Sequence, residues 1–234
     1  MNSLKRAVAG LALALVAVAG AWAQRPGGGM GMMGNMPQMP GLRNPVEGSG
    51  AEYLMTTKKN GKEMEVDMAT IILSKEKVEG ANGLWMEQRM TSAELGGEMV
   101  NKILMVTDGP QVGVKRMIMQ APGRPPMEMS GMMMGMMKQH QPPPSTGTGK
   151  ADMGELVGTE SVTVPAGTFS CQHYRKQESN GPADMWISTD VTPYAMVKMT
   201  NADVTMVLKK TLTNETSHIK GEPQKMQMPE MPHF

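Results

Sequence analysis

Residues 51–109 read AEYLMTTKKNGKEMEVDMATIILSKEKVEGANGLWMEQRMTSAELGGEMVNKILMVTDG. Four runs rich in strand-forming residues stand here, Ala51–Thr57, Glu63–Ser74, Leu84–Thr91 and Met99–Thr107. They are broken by Asn60-Gly61, Asn82-Gly83, Gly96-Gly97 and Asp108-Gly109. Asn-Gly and Asp-Gly favour the positive φ angles of tight hairpin turns, so adjacent runs are expected to pair antiparallel. A fifth run, Gln111–Gln120, ends at Pro122.

The pattern resumes further on with Glu155–Val164, Thr168–Lys176, Ala183–Ser188, Ala195–Thr200 and Val204–Thr213. Pro165-Ala166-Gly167 and Asn180-Gly181-Pro182 supply the breaks. Val204, Met206 and Leu208 alternate with Thr205 and Lys209, so one sheet face should be buried and the other wet. About ten short strands at regular spacing predict a mainly β fold. The expected form is a curved antiparallel sheet, a half-open barrel, with a short Met-rich helix or loop insert and disordered termini.

Outside this domain, expected over residues 46–216, the composition changes. Lys5 and Arg6 precede an apolar run from Ala7 to Ala21 and the small-x-small triplet Ala21-Trp22-Ala23, the three-part pattern of a signal peptide over residues 1–23. About fifteen apolar residues fall short of the roughly twenty that span a bilayer, and no later run reaches eighteen. A soluble chain without a transmembrane segment is expected after cleavage, periplasmic or secreted. Residues 24–45 are dominated by Gly, Pro and Met, and Gly221–Phe234 holds three prolines and three methionines; residues 24–45 and 217–234 are expected to be disordered arms. The insert, residues 123–149, is Met-dense; methionine forms helices well, so Met127–His140 is a candidate helix, although Gly131 and Gly135 weaken it.

Val162-Thr-Val-Pro-Ala-Gly-Thr-Phe169, followed by Cys171 and Tyr174, and then Trp186-Ile-Ser188 with Val191, Pro193 and Val197-Lys198-Met199, resemble a pattern in exported bacterial proteins of unknown function. Those proteins are similar to the periplasmic lipoprotein-carrier (LolA/LolB-like) half-barrel superfamily. The resemblance covers roughly residues 155–213 and rests on turns and core positions. It implies a curved sheet with an apolar cavity and carries over no catalytic residue. The Met-dense insert departs from the pattern where such a fold places its covering helices.

Basic and acidic residues number 23 and 22, so no strong field draws in nucleic acid or anionic membrane. A single cysteine, Cys171, excludes an intramolecular disulfide and is expected to be buried and inert. Enzyme signatures are lacking: the stretch before Lys150 has Pro144 where a phosphate loop needs glycine, and no Gly-x-Ser-x-Gly or His-Glu-x-x-His occurs. Cys171 and His173 share a strand face, but a third group is not identifiable in the sequence. The chain is not expected to be an enzyme.

Thirty methionines against eight aromatic residues is the abnormal feature. Half of them lie in the two arms and the insert. Thioethers select Cu(I) and Ag(I) over hard cations, and imidazole also suits copper. On a helix, Met133, Met136, Met137 and His140 would share one face at three- and four-residue steps; Met228, Met231 and His233 form a second candidate set in the tail. These seven are the candidate metal ligands. Against this, methionine is also an adaptable core filler. The expected function is a non-catalytic envelope binding protein for a soft metal ion. The alternatives are a carrier of a lipid or other apolar ligand in the half-barrel, or a structural protein with an envelope partner.

Overall fold

Strand residues alternate between two environments with a period of two, and hydrogen-bonded registry carries that alternation sideways from strand to strand. The computed structural model describes residues 42, 45–59, 62–106, 113–131, 153–178 and 181–225. Among these the strands are β1 (Gly50–Lys59), β2 (Lys62–Val78), β3 (Ala81–Ser92), β4 (Gly97–Val106), β5 (Gly113–Gln120), β6 (Met127–Glu128), β7 (Glu155–Val164), β8 (Gly167–Glu178), β9 (Gly181–Ile187), β10 (Met196–Thr200), β11 (Val204–Leu212) and β12 (Gln224–Lys225). They form one sheet in the order β12-β6-β5-β4-β3-β2-β1-β11-β10-β9-β8-β7. The sheet is open and curved and does not close into a barrel, with β12 and β7 as its edges. Every pairing is antiparallel except β12 with β6, so the sheet is mixed at that margin.

The hairpins form largely where the turn dipeptides stand, with one displacement. Val78 pairs with Ala81, which leaves Glu79 and Gly80 as a two-residue loop with φ of 52° and 84°. Two successive positive φ angles match the right-handed twist of the flanking strands. Asn82 and Gly83, expected as a break, therefore lie inside β3. Gly83 is needed there for space: a Cβ would come 2.8 Å from Val78 Cγ2 and 3.1 Å from the Glu76 carbonyl oxygen.

Two expectations about the ends of elements are corrected. Met127–Glu128 do not begin a helix; they add to β5 as strand β6, and Met129 N–H donates to the Met117 carbonyl. Residues 217–225, expected to be part of a disordered tail, instead cross the sheet from β3 to β6. Glu215 N–H bonds the Gly48 carbonyl, Lys220 N–H donates to Gln120 Oε1, and Gln224 N–H donates to the Pro126 carbonyl. Ile219 packs against Trp85, Leu104 and Ile118 on the way. A crossing strap reaches the far margin pointing the same way as β6, which is why that pairing is parallel.

The strap is fastened by a buried carboxylate. Glu87 on β3 has no exposed surface and accepts from Arg89 Nε (2.8 Å), Ser217 Oγ (2.6 Å) and the His218 N–H (2.9 Å). Arg89 also donates to Glu215 Oε2 (2.8 Å) and the Thr216 carbonyl (2.6 Å). Beside it Trp85 lies under Lys102 Nζ and Arg116 Cζ, 5.0 and 5.4 Å from the ring centroid, a cation–π arrangement.

Removing one partner of a buried ion pair strands the other charge, so Arg89→Met is expected to lower unfolding free energy by about 3–5 kcal/mol in urea titration. Ser217→Ala, which deletes one hydrogen bond to the carboxylate, is expected to lower it by about 1.5–3 kcal/mol. Equal stability of Arg89→Met and wild type would contradict this account of the strap.

Candidate functional site

Glu87 and Arg89 define one face of the β1–β5 region, and the other face is built very differently. Pairing aligns Ala51, Thr70, Gln88, Asn101 and Met119 in a row across β1 to β5. On one side of it runs the row Tyr53, Met68, Met90, Met99, and on the other Ile72, Met86, Ile103, Met117. Across the span Ala51–Met55, Val66–Ile72, Leu84–Met90 and Met99–Met105, this face carries no carboxylate, ammonium or guanidinium group. The local cause is visible in the strand sequences: Val66, Met68, Thr70 and Ile72 alternate with Asp67, Ala69 and Ile71.

Within this apolar surface three polar atoms are left over. Asn101 is 1% exposed and Thr70 0%. Among the described residues Asn101 Nδ2 and Oδ1 and Thr70 Oγ1 have no hydrogen-bond partner. A buried polar group without a partner is destabilising by about 1–3 kcal/mol, and native structures pair nearly all of them. Of the other polar groups here, the two phenols are paired, whereas Thr57 Oγ1, two residues past Met55 along β1, also lacks a partner among the described residues. Tyr53 Oη donates to the Met196 carbonyl (3.1 Å), and Tyr194 Oη to Met86 Sδ (3.2 Å). Burial pushes the Tyr194 phenol up to about 12 and raises that of Tyr53, with Tyr194 adding to the latter. Both phenols are therefore neutral donors.

The same face continues past β1 as a ladder of methionines on four neighbouring strands. Met55 pairs with Met206, Met206 with Met199, and Met199 with Met185. All four are buried, at 5%, 1%, 3% and 7% exposure. Directly opposed side chains on adjacent strands have Cβ atoms about 4.5–5.5 Å apart, so these thioethers form a nearly continuous sulfur-bearing layer. None of the described methionines is exposed.

Charged chemistry gathers elsewhere, around His173 on β8. Its Nε2 lies 2.6 Å from Asp184 Oδ1 and its Nδ1 3.2 Å from Glu160 Oε1. The ring stacks on Trp186, with centroids 4.6 Å apart, and Trp186 Nε1–H donates to Glu160. Arg175 Nε bonds Asp184 (2.8 Å), and Lys198 Nζ lies 4.8 Å from the Trp186 centroid. Cys171 shares this face and is fully buried; its Sγ lies 3.6 Å from the Phe169 carbonyl. Burial raises the thiol pKa, and the charges of Glu160 and Asp190 raise it further. That environment suppresses the thiolate needed of a nucleophile. Both His173 nitrogens face carboxylates. The structure thus brings Asp184 and Glu160 to His173, the groups that sequence could not identify, and they pin three strands together.

The sequence-derived metal candidates Met133, Met136, Met137, His140, Met228, Met231 and His233 lie outside the described residues. Among the described residues, no group of three or more His, Cys, Asp or Glu side chains is arranged to hold a metal ion. No helix of the described residues is long and apolar enough to cross a membrane. Sequence reasoning passed over Asn101 and Thr70. Their signal was present as a polar residue at an inward position of an otherwise apolar alternation.

No family model and no curated protein sequence matches the chain. Among solved structures, it is similar to a candidate lipoprotein from Parabacteroides distasonis ATCC 8503, at 12% identity and a TM-score of 0.34, over 71% of this chain and 96% of that one. It is also similar to a candidate exported protein with a YmcC-like fold from Bacteroides fragilis NCTC 9343, at 13% identity and a TM-score of 0.32, over 74% of this chain and 99% of that one.

Asp184 generates a pH prediction. Burial acts to raise its pKa, but the hydrogen bonds from Arg175 and His173 outweigh it and hold the carboxyl below its ordinary 3.8. A depressed folded-state value stabilises the fold above the unfolded pKa and loses that contribution as pH falls through the folded one. The Asp184→Asn variant is expected to show a flatter fall in thermal midpoint than wild type between about pH 4 and pH 2. Parallel curves would show that the carboxylate is not linked to folding.

Proposed function

We propose that this chain is an exported, non-catalytic binding protein of the cell envelope whose methionine-lined sheet face receives an apolar ligand. The signal-peptide pattern of residues 1–23 supports export. The observation that carries the binding role is the pairing of a broad, buried, charge-free and thioether-rich sheet face with polar atoms that have no hydrogen-bond partner among the described residues. Methionine suits such a surface because its unbranched, polarisable side chain repacks around differently shaped occupants at little cost. A sheet whose only task was to fill a core would have no use for an unpaired amide at its centre.

An uncharged fluorescent probe, the methyl ester of a long-chain fatty acid, is expected to gain intensity and shift to the blue on mixing with the purified protein. Gln88→Glu, which adds a carboxylate to the charge-free face at a half-buried position, is expected to weaken uptake about tenfold or more. A probe that stays in water while circular dichroism shows the β fold would remove apolar binding from consideration.

Soft-metal binding is the second role we keep, favoured by the ladder of Met55, Met206, Met199 and Met185 in addition to the seven candidates in the insert and tail. Thioethers are suited to Cu(I) or Ag(I). Competition against a chromogenic Cu(I) chelator separates the two locations. Met199→Leu with Met206→Leu is expected to weaken binding if the ladder holds the ion, and Met133→Leu with Met136→Leu and Met137→Leu if the insert does. Unchanged competition in both variants would exclude both sets.

A further inference from the structure

The unpaired groups restrict what this face can receive. Asn101 presents an amide N–H₂ and an amide oxygen, both unsatisfied and both sealed from solvent. Their neighbours in the sheet are Gln88 on one side, Met119 on the other, and Met99 and Ile103 two residues away along β4. Thr70 Oγ1, two strands away in the same row, adds a hydroxyl that can donate or accept. Gln88 stands between them, so a polar strip about 10 Å long crosses an apolar field, given the spacing of neighbouring strands.

Charge complementarity selects the partner. No basic side chain occupies this face over the span described above, so an ionised carboxylate or phosphate would enter without a counter-charge, and no acidic one is present to receive an ammonium. A pure hydrocarbon would leave the amide as it is. A group that both donates and accepts, such as a carboxamide or an un-ionised carboxylic acid, satisfies Nδ2 and Oδ1 together. We infer that the ligand of this face is an apolar molecule bearing an uncharged donor-and-acceptor group, seated on Asn101 with Thr70 as a second contact. This rests on the apolar-binding role proposed above and specifies its ligand class.

The test is displacement of the uncharged fluorescent ester probe by oleamide, methyl oleate and ionised oleate from the purified protein and from Asn101→Leu, which keeps the branching and heavy-atom count of the side chain. In wild type, oleamide is expected to displace the probe at a concentration at least about tenfold lower than either competitor. In Asn101→Leu the three should converge to within about threefold, and the thermal midpoint of the ligand-free protein should rise, because the orphan amide is gone. Thr70→Val, an equally conservative change, is expected to narrow the same preference and serves if the first variant does not fold. Equal displacement by all three competitors in wild type, or a preference for oleamide that survives in both variants, overturns the head-group assignment and leaves apolar binding standing. Failure of wild type to take up the probe at all overturns the apolar-binding role itself.

Discussion

A carboxylate taken wholly out of water has to be met by donors, and Glu87 is met by three. Two of those donors come from the segment that follows β11, so the chain cannot leave the sheet after its last long strand. It is drawn across β3, β4 and β5, seats Ile219 on Trp85, Leu104 and Ile118, and ends as a strand against β6. Arg89 is held in turn by Glu215 and the Thr216 carbonyl. The arrangement is worth little as an isolated ion pair, since desolvation offsets most of the attraction. Its effect is geometric: one face of β3–β5 is committed to a polar clamp and its strap.

Commitment of one face leaves the other for apolar contact. There the alternation places methionine beside methionine, with registry extending the rows over many strands. Aromatic residues would fill the same area more rigidly, whereas thioether chains have three rotatable bonds and adapt to shape. That choice sacrifices some uniqueness of packing. The orphan amide and hydroxyl add a polar penalty of about 1–3 kcal/mol each that ordinary selection for stability would remove by substituting Leu and Val. Their position at the centre of the apolar rows is consistent with a role that stability does not reward.

The strand pattern was legible because it depends on local chemistry. Hairpins appear near the Gly-containing breaks, and β7 runs over Glu155–Val164, the run marked out in sequence before Pro165-Ala166-Gly167. The shift from Asn82-Gly83 to Glu79-Gly80 arose because both dipeptides accept positive φ, and the choice is made by which registry buries Leu84 and Met86. The strap was misread because its polar and charged residues, with Gly221 and Pro223, look solvent-loving in sequence, whereas Arg89, Gln120 and Glu87 supply the bonds that hold it from a hundred or more residues away. Asp184 and Glu160 around His173 escaped notice for the same reason of distance along the chain.

Sequence alone determined the β architecture, the antiparallel habit of most of the sheet, the near-neutral charge and the bias towards sulfur over rings, since periodicity, turn propensity and composition act within a few residues. Tertiary structure decided which methionines line up with one another, that Asn101 and Thr70 share a row without partners among the described residues, and that the polar segment after β11 becomes a clamp. Those outcomes depend on registry and burial between strands remote in sequence, and a change of one residue in registry would have turned each of these side chains to the opposite face.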